Sequence, residues 1–102
     1  MSDEEFRKKR VLVVGRSAEI MRRVVALLTG AGYEPIGHLE DAGALAALGD
    51  ADVLVIGGGV EEPSRSRLRT AFRAARPGLP VIEHVGGPQG LLAHLAAALE
   101  GR

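Results

Sequence analysis

Glycine-rich segments follow three short apolar runs of this sequence, and they are the first residues whose types could hold a ligand. Glycine lets a backbone approach a bound group closely, and the start of a following helix attracts anions. The candidate ligand-binding residues are Gly15, Arg16, Ser17, Gly57, Gly58, Gly59, Gly86 and Gly87. A phosphate or nucleotide could lie against them. Alternatively the glycines only form tight turns, because neither a G-x-G-x-x-G nor a G-x-x-x-x-G-K-[ST] motif is present.

Four arginines form a second candidate site, for a partner. Steps of four, four and three residues place them on one side of a helix, where like charges repel unless something neutralises them. The candidate partner-binding residues are Arg65, Arg69, Arg73 and Arg76. An acidic protein surface, RNA or a phosphate could pair with them, and RNA is the weaker choice without aromatic stacking residues. Alternatively they form a solvated helix face, and we expect Arg69 and Arg73 to face solvent.

Histidines near the predicted strand ends could act as a general base or as a pH sensor. Glu83 and His84 are adjacent, so in a strand they point to opposite faces and cannot act on one substrate together. His38 lies near the same edge but on the far side of the sheet. No serine or cysteine partner is identifiable, and the 3 histidines lack metal-ligand spacing. We therefore predict no catalytic residue, no metal and no cofactor.

Alternating strand and helix patterns must position these residues. The predicted strands are residues 11–14, 33–38, 53–56 and 79–84; the predicted helices start at the caps Ser17 and Asp41 and, further on, cover about 65–76 and 91–99. Four such units predict an α/β fold, a three-layer doubly wound parallel sheet. Right-handed crossovers, with Pro35 placing the second strand at an edge, predict the strand order 2-1-3-4. The first and last helices should share one face of the sheet.

The alternation, a Gly-Tyr-Glu-Pro segment after the first helix and the Ala-Leu spacing of the second helix resemble the receiver domains of bacterial response regulators. The resemblance covers about residues 9–85. In that family an acidic pair after the first strand holds magnesium, the third strand ends in the phosphorylated aspartate, the fourth in Ser or Thr, and the fifth in Lys. Here these positions fall on Gly15 and Arg16, on Gly57 and on Val85, and no fifth strand is found. The resemblance implies a degenerate receiver-like domain without the phosphorylation residues.

Length and composition restrict the class of protein further. The 102 residues allow one domain, which we place at 11–102 behind a flexible charged leader, 1–10. Without cysteine there are no disulfides or thiolate metal sites, which fits a cytoplasmic protein. No apolar run approaches the ~20 residues of a membrane helix. A net charge of zero argues against nucleic acid as a partner.

These patterns favour a non-enzymatic, phosphorylation-independent receiver-like module that binds a protein partner or itself. The missing fifth strand leaves residues 79–84 at an open edge, where two copies could pair into a homodimer, or the last helix could pack against its copy. The alternative is a domain that binds a small ligand, phosphate or nucleotide at the glycine-rich strand ends. An enzyme ranks last, because no nucleophile, base and orienting group converge.

Overall fold

The chain folds as four strand–helix units. The computed structural model describes residues 8–84 and 88–100, so predictions made for 1–7 and 85–87 lie outside the described residues. The strands are β1 (Arg10–Val14), β2 (Glu34–His38), β3 (Val53–Gly57) and β4 (Val81–His84), and the helices are α1 (Ala18–Gly30), α2 (Asp41–Ala47), α3 (Ser64–Ala75) and α4 (Leu91–Glu100). A 3-10 turn, Leu48–Asp50, follows α2. None of the described helices combines the length and apolarity needed to cross a bilayer.

The strands form one parallel sheet in the order β2-β1-β3-β4, which confirms the predicted fold class and strand order. Strand β2 lies at an edge. Proline lacks a backbone N–H, and at an edge Pro35 is tolerated because no further strand needs that hydrogen bond. Strand β4 lies at the other edge of the described sheet. The connections from β1 run outward to β2 and back across to β3, so the carboxyl ends of β1 and β3 flank the point where such sheets bind ligands.

Strands β1 and β3 are central, and their apolar residues are buried on both faces. Residues 11–14 and 53–56 are each at most 5% exposed. Helices cover both sides of a doubly wound sheet, so a central strand has no solvent face and its sequence is apolar without alternation. Most of these residues are valine or isoleucine, whose branched side chains favour extended backbone. Both central strands can therefore be recognised from the sequence.

Helices cover the sheet in two layers. On one face, α1 and α4 contribute the buried residues Val24, Leu28, Leu91 and Leu95. On the other face, α2, the following turn and α3 contribute Ala44, Leu48, Leu68 and Phe72. The predicted assignment of helices to faces is therefore confirmed, and each face has its own buried core.

Helix starts agree with the sequence in one case and differ in another. Ser17 caps α1 as predicted, because its hydroxyl oxygen accepts a hydrogen bond from the backbone N–H of Ile20 at 3.2 Å. The predicted cap of α2 is wrong: Glu40 occupies the cap position and Asp41 is the first helical residue. The Asp41 carboxylate is bound by side chains from other parts of the chain, so it does not cap its own helix.

Some boundaries and burials also differ from the predictions. Helix α3 begins at Ser64, and β4 begins at Val81, two residues later than predicted. The spacing of apolar residues along α3 and α1 predicts that Ala75 and Ile20 are buried, but both are exposed, and Ile20 is 44% exposed. Ile20 borders an open cavity beside α1, which is why its position on the apolar stripe does not bury it.

Candidate functional site

The carboxyl ends of β1 and β3 lie side by side, and neither carries a carboxylate. Val14 pairs with Ile56, and Gly57 at the end of β3 pairs with His84 of β4. A Cβ atom at Gly57 would lie 3.2 Å from the carbonyl oxygen of Val14, closer than most such contacts in proteins. Glycine therefore allows the two strand ends to approach this closely. Gly15 follows β1 directly and likewise offers no side chain for chemistry.

The carboxylate of Asp41 joins three connections at this edge. Arg16, after β1, donates to it at 2.6 Å and to the carbonyl oxygen of Leu39 at 2.7 Å. The hydroxyl of Ser64, at the start of α3, donates to its other oxygen, and Arg67 lies 3.7 Å away. These hydrogen bonds, with the positive charges nearby, lower the pKa of the Asp41 carboxyl, Ser64 contributing most. Asp41 therefore stays ionised and links the loops after β1, β2 and β3.

A second carboxylate, that of Glu83, joins β4 to α3. Arg65 donates to it at 2.9 Å, and Arg69 donates to its other oxygen at 2.9 Å. Arg65 also donates to the carbonyl oxygens of Gly57 at 2.7 Å and Val60 at 3.0 Å. The hydrogen bond from Arg65 is the main reason why the pKa of Glu83 is lowered. One guanidinium therefore holds the end of β3, the loop after it and β4 together.

The predicted stripe of unneutralised arginines needs correction. Arg69, expected to face solvent, is paired with Glu83. Arg76 donates to the carbonyl oxygen of Gly49, in the turn before β3, at 2.8 Å. Arg73 is exposed, as expected. The helical spacing was correct, but the acceptors come from β4 and from the loops, which spacing on one helix does not reveal. Binding of a partner through Arg65, Arg69, Arg73 and Arg76 stays a prediction.

A cavity of about 320 Å³ opens between α1 and α4 at the same edge of the sheet. Apolar side chains form much of it: Val13 and Val55 from the sheet, Met21 and Val24 from α1, and Leu91 from α4. Ligand sites in proteins are commonly cavities of this size, lined by apolar groups with a few polar ones. The cavity can therefore hold a small, largely apolar molecule.

Most of the sequence-predicted ligand residues border this cavity. The structure brings together Gly15, Arg16, Ser17, Gly57, Gly58 and Gly59 along its rim. Gly86 and Gly87 lie outside the described residues. Arg16 is already paired with Asp41, and the hydroxyl oxygen of Ser17 already caps α1. The arrangement therefore suits an apolar ligand better than a phosphate. Binding of a ligand by these residues stays a prediction.

Sequence reasoning missed two members of this edge. The sequence predicts Asp41 only as a helix cap, although its place after β2 puts it at the carboxyl edge. His94 enters the sequence analysis only as one of three histidines without metal-ligand spacing, because its place on the last helix does not show that it meets His84. In the structure it meets His84, which borders the cavity. His38 is at the end of β2, on the far side of β1, as predicted.

Comparison with solved structures identifies the fold. A CheY-like response regulator receiver domain protein from Methanospirillum hungatei JF-1 matches with a TM-score of 0.78 and 17% identity, over 93% of this chain and 96% of that one. The chemotaxis protein CheY4 of Vibrio cholerae matches with a TM-score of 0.65 and 19% identity, over 91% and 100%. No protein-family model and no curated protein matches the sequence. The chain therefore has a CheY-like receiver fold, and identities this low show the fold alone.

Proposed function

We propose that this chain is a regulatory module with a receiver fold that binds a protein partner or itself, without catalysis and without phosphorylation. The observation that carries the proposal is the glycine at the end of β3, packed so closely on β1 that a side chain there would press on the Val14 carbonyl. Gly15 and Arg16 supply no carboxylate for magnesium. In place of an acidic metal site, this edge has Asp41 held by Arg16 and Ser64.

The ion pairs at the carboxyl edge of the sheet support a module whose loops are held in place without a bound metal or phosphoryl group. In a receiver the carboxylates at this edge are available to a metal and a phosphoryl group. Here Asp41 and Glu83 accept hydrogen bonds from arginines, and their pKa values are lowered, so both are ionised and occupied at neutral pH. Because the loops are joined without any added group, we expect partner binding to need no phosphoryl donor.

Treatment with acetyl phosphate and Mg²⁺ is expected to leave the protein unmodified. No carboxylate stands at the end of β3 to accept the phosphoryl group, and none follows β1 to bind the metal. The measurement is intact mass after incubation, with a receiver domain that retains its aspartate as the positive control for the reagent. A stoichiometric gain of one phosphoryl group would show that this chain has a working phospho-acceptor and would reject the proposal.

Self-association is the form of interaction that the sheet itself favours. Strand β4 lies at the edge of the described sheet, and an edge strand presents backbone N–H and C=O groups to a further strand. A two-fold pairing of two such edges is a common way to form a homodimer. We expect light scattering over a concentration series to show a rise toward the mass of two chains. A mass of one chain at every concentration contradicts self-association and leaves a different protein as the partner.

The cavity between α1 and α4 favours a second candidate function, binding of a small ligand. A ligand present at 100 times its dissociation constant adds about 2.7 kcal/mol of stability, which a thermal shift detects. Screening nucleotides, inorganic phosphate and small apolar compounds separates the candidates. A shift with a nucleotide or phosphate supports a ligand bound at the glycines along the cavity rim. A shift with apolar compounds alone supports a ligand bound against the apolar side chains of the cavity. No shift with any of them favours the interaction module.

A further inference from the structure

Two histidine rings meet at the edge of the cavity. His84 ends β4, and His94 lies in the first half of α4. Their Nδ1 atoms are 3.4 Å apart, and their ring centroids are 5.6 Å apart with the planes inclined by 59°. Two imidazole nitrogens from separate elements therefore lie close together.

The hydrogen bond on the other side of His84 determines what its Nδ1 can do. Nε2 of His84 lies 3.0 Å from the carbonyl oxygen of Gln89. A carbonyl can only accept, so Nε2 carries the proton and Nδ1 of the neutral ring keeps its lone pair. That lone pair is directed toward His94. A histidine that binds a metal is usually held in this way, with its second nitrogen donating to a backbone carbonyl or a carboxylate.

The separation of the two Nδ1 atoms fits a shared ion. At 3.4 Å it is longer than the usual nitrogen–acceptor distance of about 2.7–3.2 Å in a hydrogen bond. Zinc binds histidine nitrogen at about 2.0–2.1 Å in a tetrahedral arrangement, so two such ligands lie about 3.3–3.4 Å apart. The observed spacing therefore matches the distance between two corners of that tetrahedron.

The backbone holds His94 in this place. Gly90 has a positive φ of 78°, which glycine adopts without strain, and its carbonyl oxygen accepts the backbone N–H of His94 at 3.1 Å. A Cβ atom at Gly90 would lie 3.9 Å from the His84 ring, so the turn runs directly beside that ring. His94 is exposed, and an ion with its water can reach the pair without any burial of charge.

We propose that His84 and His94 form a binding site for a divalent transition-metal ion, with both Nδ1 atoms as ligands. Neutral imidazole suits zinc, nickel and copper, whereas magnesium and calcium prefer oxygen ligands. Among the described residues no group of three or more His, Cys, Asp or Glu side chains is placed to share an ion, so water completes the coordination. The site is separate from the proposed function: it needs neither a partner nor the absence of phosphorylation.

Isothermal titration calorimetry with Zn²⁺ alone tests the site. The unmodified protein should bind one ion per chain. His94→Ala removes one of two protein ligands from an exposed position and should weaken binding at least about tenfold, since even the groups that only orient a ligand contribute 10–100-fold. His38→Ala is the matched control and should bind like the unmodified protein. Mg²⁺ should give no binding under the same conditions.

Two results would overturn the site: no saturable binding of Zn²⁺, or equal binding by the unmodified protein and the His94→Ala variant. A second readout distinguishes this pair from scattered surface histidines. Paramagnetic Ni²⁺ should broaden the ring resonances of His84 and His94 at substoichiometric amounts and leave those of His38 sharp. Equal broadening of all three would reject the proposal even if Zn²⁺ bound in the calorimeter.

Discussion

Phe72→Ala is expected to destabilise the domain by about 3–5 kcal/mol, because truncation of a buried aromatic ring leaves a cavity as well as lost apolar contact. The Phe72 side chain is 0% exposed and lies in the core between α3 and the sheet. A domain of this size has a free energy of unfolding of only about 5–15 kcal/mol. The variant should therefore unfold at a temperature lower by at least about 10 °C.

The measurement is unfolding by heat and by urea, monitored by circular dichroism. Phe72→Leu is the control, because it keeps an apolar side chain at the same position and should lose clearly less stability. Helix α3 carries the arginines of the sheet edge, so the Phe72→Ala variant should also loosen that edge. An unfolding midpoint like that of the unmodified protein would mean that α3 does not depend on this core.

Arg65→Ala is expected to destabilise the domain by about 2–3 kcal/mol, although it replaces an arginine on a helix surface. The Arg65 side chain is only 17% exposed and donates to three acceptors: Glu83, Gly57 and Val60. Hydrogen bonds from a charged donor contribute more than neutral ones, and their loss leaves partly buried acceptors without a partner. The substitution should therefore loosen the contact of α3 with the ends of β3 and β4, which stay paired in the sheet.

Arg73→Ala is the matched control, since it is the same change on the same helix at an exposed position. It should alter stability by no more than about 0.5 kcal/mol. A double-mutant cycle of Arg65→Ala with Glu83→Gln measures the coupling directly, and contact between the two side chains predicts non-additive losses. Equal, small losses of stability for Arg65→Ala and Arg73→Ala would mean that Arg65 does not hold α3 to the sheet, and that the four arginines form a solvated helix face.

The strands and their order could be predicted because both follow from local sequence patterns. The runs at 11–14 and 53–56 are apolar throughout because both faces of a central strand are covered, and Pro35 marks the edge strand because it lacks an N–H. Crossover handedness then leaves few strand orders, and the one predicted is the one observed. These rules depend on residue type and on neighbours within one element.

The electrostatics of the candidate site could not be predicted in the same way. Arg65 and Arg69 looked unneutralised because Glu83, their acceptor, is on a strand that lies 18 residues from Arg65 and 14 residues from Arg69 in sequence. Asp41 looked like a helix cap because nothing near it in sequence shows that Ser64 would reach it. The choice of partner depends on strand register and on where α3 begins, neither of which is a local property.

By itself, then, the sequence determined the elements, their layers and the lack of a carboxylate at the end of β3, since each follows from residue type and period. Only the tertiary structure decided which charged and polar groups meet. His84 and His94 show the difference: a positive φ at Gly90 turns the chain so that two rings from separate elements come within 3.4 Å. Such convergence depends on packing between elements, and a pattern within one element contains no record of it.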